Sequence, residues 1–488
     1  MHLSLALSLL LTGGGLLACG DKDDDTGGAT DGGATDGGGG TGGGTGGEID
    51  VYDFDSAFTD GSSVSYSGQV FRHLLIDDMK SHLGGVTGRI DDGSLFPVAG
   101  DVRDELLFYF EFDSSTSGSV EILKSTSSPA VQEVYDDVSS GKNLVEKLAG
   151  NDVTGQHEDW TTDFVGWQAP GVTTPESLVR HWIDLIDQQA VDRASGDIPL
   201  DPSGAALTAV HLTAEGQDLQ QLLEKFLRGA VAFSQGADDY LDDDIEGKGL
   251  RSDHTAAEEG EPFTALEHAW DEGFGYFGAA RSWAAWSDAD TADLGSRDDD
   301  GDGQIDLLTE VCWGHSTNAA KRDVGSAGLS ATDFTGDAWQ GFRDGRALLA
   351  DTAGQGLTAD QLATLQGHRD LALSAWEAAI AASVVHYINA VLQDMSRMGT
   401  ADYSFEDHAK HWSEGKGFAL SLQFNRLSPL SDADFAALHT LLGMAPVLQS
   451  GAAAEAYAQD LRDARALLGE TYGFATENLG GDDGTGGW

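Results

Sequence analysis

Cysteine is almost missing from this chain. Its 488 residues include two, Cys19 and Cys312. Cys19 falls in a segment read below as lipidated, which leaves Cys312 without a partner and excludes a disulfide framework. Cationic side chains are scarce too: 27 Lys and Arg stand against 82 Asp and Glu, a formal charge of −55. Phosphate binding needs clustered Lys and Arg, so nucleic acid is excluded as a partner. The same balance argues against electrostatic attachment to anionic lipid. No Gly-x-Ser-x-Gly elbow, phosphate-binding loop, dinucleotide fingerprint or Cys-x-x-Cys pair occurs, which lowers hydrolase, nucleotide and thiol-redox readings. What the excess of carboxylates favours is solubility and cation binding.

The chain opens with "MHLSLALSLLLTGGGLLACG". An apolar run this short, followed by small residues, reads as a signal peptide and not as a membrane span. Leu16-Leu17-Ala18-Cys19 resembles a bacterial lipobox, which implies cleavage before Cys19 and a lipid on its sulfur. The n-region has no Lys or Arg. The following "GDKDDDTGGATDGGATDGGGGTGGGTGG" cannot bury enough apolar surface to order itself and reads as a tether. Its acidic start, Asp21 to Asp25, resembles surface-export signals of some bacterial lipoproteins. The expected division is a lipoprotein signal peptide over 1–18, a Gly/Asp/Thr-rich disordered tether over 19–47, a predominantly helical globular domain over 48–478 and a flexible Gly-rich tail over 479–488. Within that tail, Trp488 is the residue that could dock.

Hydrophobic residues make up 40% of the chain, enough for a real core. "EIDVYDFDS" and "LLFYFEFDSS" read as extended, whereas "SGQVFRHLLIDDMKSHL" has helical spacing. From Pro175 onward the pattern is helical almost throughout. The clearest helix follows Thr358, where Thr358 and Gln361 have capping-box spacing and Leu365, Leu373, Trp376, Ile380, Val384, Ile388 and Val391 form one stripe. The expected class is all-α: a helical bundle, with two quasi-repeated halves as one arrangement, plus a small irregular or β-containing N-terminal part.

One phrase occurs twice. "HAWDEGFGYFG" from His268 and "HWSEGKGFAL" from His411 share Trp-x-Glu-Gly-x-Gly and then an aromatic. Each follows a cap-like pair, Thr264 with Glu267 and Ser404 with Asp407. The glycines at 273, 275, 415 and 417 let another backbone approach closely. His268 with Glu272, His408 with His411, and His411 with Glu414 share helix faces. Imidazole and carboxylate together suit zinc or iron, so these five residues form a candidate second metal or ligand site. A His beside a Glu in a bundle is also commonly just a hydrogen-bonded pair. His157 and His254 read as surface residues.

The sharper cation signal is "DDDGDGQIDLLTE". Asp298, Asp300 and Asp302 take positions 1, 3 and 5 of an EF-hand-like loop, Gly303 position 6, Gln304 position 7 through its carbonyl, and Asp306 position 9. Position 12 is Thr309, and Glu310 comes one residue late. Calcium in a structural role is expected here.

Several stretches together resemble an uncharacterised bacterial lipoprotein family whose shared domain has no assigned function. They include "SYSGQVFRHLLIDDM", "LRGAVAFSQGADDYL", "EHAWDEGFGYFGAARSW" and "DHAKHWSEGKGFALSLQFN". The His-x-x-Glu of His411 and Glu414 more faintly resembles imelysin-type helical proteins, where that motif is a proposed metal site. The expected function is a lipid-anchored binding protein at the outer membrane or cell surface. It would carry a structural Ca²⁺ and a second metal or ligand site, with no enzymatic activity favoured. The alternatives are a metallopeptidase, with metal on His268, His411 and Glu414 and Glu272 as general base, and a structural surface protein without a ligand site.

Overall fold

In the computed structural model the described residues are 51–152 and 156–488. The signal peptide, Cys19 and the tether therefore lie outside them. The first helices are α1 (Ser67–Asp91), α2 (Asp101–Phe110), α3 (Ser114–Ser117) and α4 (Pro175–Ser195). Then come α5 (Leu219–Leu227), α6 (Ala265–Phe277), α7 (Asp288–Leu294) and α8 (Gly314–Ser326). The C-terminal half holds α9 (Phe334–Thr352), α10 (Ala359–Arg397), α11 (Phe405–Ser421), α12 (Asp432–Leu442), α13 (Ala452–Tyr472) and α14 (Thr476–Leu479). Among the described residues only isolated β-bridges occur, so the protein is all-α.

α10 is the axle. Thr358 Oγ1 accepts from Gln361 N at 3.3 Å and Gln361 Oε1 accepts from Thr358 N at 2.9 Å, closing the expected capping box. The helix then runs 39 residues, about 58 Å at the usual rise. It is long and apolar enough to cross a membrane, but most of its apolar window is buried inside the protein. α8, α9, α11 and α13 pack around it. Its Trp376 and Ile380, with Phe277 of α6 and Phe418 of α11, belong to one continuous core.

α5 does not stop at Leu227. The chain continues into π-helical turns at Arg228–Phe233 and Gly236–Tyr240. π-turns are rare and often occur at functional sites. Here the packing is close. A Cβ on Gly229 would overlap Ser421, and one on Gly236 would lie 2.6 Å from Trp376.

Two expectations fail. "LLFYFEFDSS" is not extended: residues up to Phe110 belong to α2, whose buried Val102, Leu106, Tyr109 and Phe110 recur at helical spacing. Asp101 and Asp104 in the first turn favour the helix dipole, a signal that precedes the apolar run and was masked by it. Residues 479–488 are not a loose tail, and the docking foreseen for Trp488 occurs. Trp488 is buried, meets Phe474 edge-on at 4.7 Å and donates through Nε1 to Arg322 O at 3.0 Å.

Candidate calcium loop and the two tryptophan-glutamate-glycine helices

Residues 298–310 form a tight acidic turn between α7 and α8. Gly301 and Gly303 have φ of +77° and +88°, the left-handed region where glycine is favoured. The Asx pattern follows: Asp298 Oδ1 accepts from Gly301 N (2.7 Å) and Oδ2 from Gly303 N (2.9 Å). Asp300 Oδ1 accepts from Asp302 N, and Asp302 Oδ1 from Gln304 N. The result is that one carboxylate oxygen from each of Asp298, Asp300 and Asp302 lies within 4.8 Å of the others. Three like charges this close repel each other, a cost that a divalent cation relieves.

The remaining expected ligands behave differently. Gln304 follows the turn with its side chain beside Asp302. Asp306 Oδ1 accepts from Gln132 Nε2 (2.8 Å) and Leu308 N (3.0 Å), and Oδ2 from Thr309 Oγ1 (2.9 Å). Glu310 is buried and folds back across the turn. Its Oε1 accepts from Asp299 N (2.7 Å), its Oε2 from Asp306 N (2.8 Å). The late glutamate thus holds the turn closed through backbone amides. A fully buried Ile305 fastens the loop to the body, donating its N–H to Pro129 O and accepting from Val131 N, both at 2.9 Å.

The two Trp-x-Glu-Gly phrases lie inside α6 and α11. Each indole is buried and donates to a carbonyl of another helix: Trp270 to Phe342 at 2.8 Å, Trp412 to Leu442 at 3.2 Å. Each pair of glycines admits a neighbour. A Cβ on Gly275 would sit 2.7 Å from Tyr66 of the segment before α1, and one on Gly417 2.7 Å from Lys225 of α5. The phrase is the same packing device used against two different partners.

The five histidines and glutamates of the expected second site are not gathered. Among the described residues, the group of potential metal ligands that lies together is Asp298, Asp300 and Asp302, and it includes none of them. His268 stacks on Phe263 and stands 3.9 Å from Glu272, which accepts from Gln69 at 2.8 Å. His408 is fully buried beside Tyr403, and burial lowers its pKa to about 4. His411 donates from Nδ1 to Asp394 Oδ2, 2.7 Å away. Burial works against its charge, yet Asp394 outweighs that and its pKa ends raised. Glu414 faces Lys225 at 3.6 Å. Asp394, near the end of α10, had no sequence signal linking it to His411. His254 is buried, not on the surface, between Thr264 Oγ1 and Thr352 Oγ1. His157, read as a surface residue, is half-buried and pairs with Asp238 at 2.6 Å. Cys312 is buried, and burial pushes its thiol up to about 12, which makes it inert as a nucleophile.

The site and scaffold define an all-α protein with an acidic, cation-suited turn. Residues 187–437 match the family described as Domain of unknown function (DUF4856), and the chain belongs to that family. No curated protein and no solved structure matches it. The matched segment contains the acidic turn, both Trp-x-Glu-Gly helices and all of α10.

Proposed function

We propose that this chain is a lipid-anchored binding protein of the cell envelope whose acidic turn holds a structural Ca²⁺. The observation that carries the calcium part is the convergence of the Asp298, Asp300 and Asp302 carboxylates on a turn already braced by Glu310 and Ile305. Hard cations take oxygen ligands in such turns, and Ca²⁺ tolerates the irregular geometry that Mg²⁺ does not. Bracing from the protein body points to a stabilising role over a sensing one, because the loop has little freedom to move on binding. The anchor part rests on the Leu-Leu-Ala-Cys19 sequence and the tether after it.

Elemental analysis and calorimetry on residues 48–488, purified without chelator, test the calcium part. One Ca²⁺ per chain is expected in the parent and none in Asp300→Ala. Ca²⁺ at a thousandfold excess over its Kd should add about 4 kcal/mol of stability. Absence of calcium in the parent rejects the reading. For the anchor, palmitate labelling of the full chain should be lost in Cys19→Ser. Labelling that survives the change rejects it.

A further inference from the structure

The middle of α10 borders a cavity of about 650 Å³. Phe334 and Asp337 of α9, Leu427 and Asn425 after α11, and Tyr472 at the end of α13 complete its wall. Glu377 of α10 is part of that wall and only 1% exposed. Its Oε1 accepts from Ser428 Oγ (2.5 Å) and Tyr472 Oη (2.7 Å), and its Oε2 from Asn425 Nδ2 (2.5 Å). All three donors are neutral. A carboxylate buried with no cation beside it is costly, and ordinary proteins pair such groups.

The wall's own cation cannot serve. Arg369 donates from Nε to Asp370 (2.5 Å) and from Nη1 to Leu241 O (3.0 Å), and its Nη2 stands 3.5 Å from Asp243. Asp337 adds a further negative charge at the exposed side, near Asp333. The rest of the wall is largely apolar, with Phe334, Leu373, Leu427 and Pro429.

We propose that this cavity binds a small organic cation, an ammonium or guanidinium carried on an apolar body. Tyr472 donates its O–H to Glu377, so the phenol oxygen keeps acceptor capacity for an N–H of the ligand; burial raises the Glu377 pKa, and a cation bound at this wall draws the carboxyl back to its charged form. The ring and the apolar wall take the ligand's body, and Asp337 draws the cation to the mouth.

The test is calorimetry on the full chain with phenethylamine, agmatine and putrescine, and with 2-phenylethanol as the uncharged counterpart. One-to-one binding of at least one amine is expected, with the alcohol at least tenfold weaker than phenethylamine. Glu377→Gln should weaken amine binding at least tenfold. Leu427 is 40% exposed, so Leu427→Trp obstructs the cavity from the surface with the fold kept, and it should do the same. No amine binding by the parent protein overturns the proposal. So does equal binding of alcohol and amine, or unchanged binding in folded Leu427→Trp. Amine binding retained in Asp300→Ala, with calcium lost, separates this site from the calcium turn.

Discussion

The indole of Trp286 donates from Nε1 to Asp299 Oδ2 at 3.0 Å. Asp299 stands between Asp298 and Asp300, so the ring of Trp286, the residue after the 3₁₀ turn Trp283–Ala285, touches a side chain of the segment that a cation would tighten. Arg297 lies over the same ring at 4.9 Å. Calcium addition should therefore change tryptophan emission, and Trp286→Phe should remove at least half of the change. A titration curve identical in Trp286→Phe would move the reporter elsewhere.

A second prediction concerns the ion cluster under α6. Arg346 is fully buried and donates to Asp271 (2.8 Å), Glu267 (2.9 Å) and Ser63 Oγ (2.6 Å). Tyr52 also donates to Asp271, which ties the segment before α1 into this cluster. Removing the one cation leaves two buried carboxylates unpaired, so Arg346→Met should cost about 3–5 kcal/mol in urea unfolding. Adding Asp271→Asn and Glu267→Gln to Arg346→Met should recover part of the loss.

Lys416 carries the clearest pH dependence. It is buried on α11 with Nζ 2.8 Å from His439 Nδ1, and burial lowers its pKa to about 7. The unfolded lysine titrates near its ordinary value of about 10.4. Between pH 7 and about 10 the unfolded chain therefore binds more protons than the folded one, and stability from this group rises with pH. Lys416→Met should flatten that rise and raise the unfolding midpoint most at pH 7 and below. Denaturant curves at pH 6.5, 8 and 9.5 measure it, and an equal gain at all three would refute the assignment.

Trp488 makes a fourth case. Its ring fills a site beside Phe334 and Phe474. Trp488→Ala should cost about 3 kcal/mol, toward the low end for emptied aromatic sites, and lower the melting temperature.

Much of this architecture was legible from local signals. Thr358 with Gln361 and Thr264 with Glu267 form capping boxes because the motif needs only neighbouring residues. The Asp298, Asp300 and Asp302 turn was readable for the same reason. What escaped was long-range. Gln132 reaches Asp306 across the loop pairing, Asp394 finds His411 from another helix, and Glu377 meets Tyr472. The π-turns at 228–240 were also invisible, because the apolar spacing there suits an ordinary helix and the close neighbours of Gly229 and Gly236, Ser421 and Trp376, come from distant helices. The helix signal of Asp101 and Asp104 lies just ahead of the aromatic run, outside the stretch that reads as extended.

The pairing of Ile305 with residues 129–131 has a consequence for domain autonomy. The family-matched segment begins at residue 187, so the strip of backbone that braces the acidic turn lies outside it. α1, which packs on α5 and α6, lies outside it as well. An excised 187–437 fragment would bare the Ile305 edge and the faces that α1 covers. The unit able to stand by itself is thus larger than the unit that recurs in sequence. The recurring segment depends on flanking chain for its closure, as a keystone depends on the arch around it.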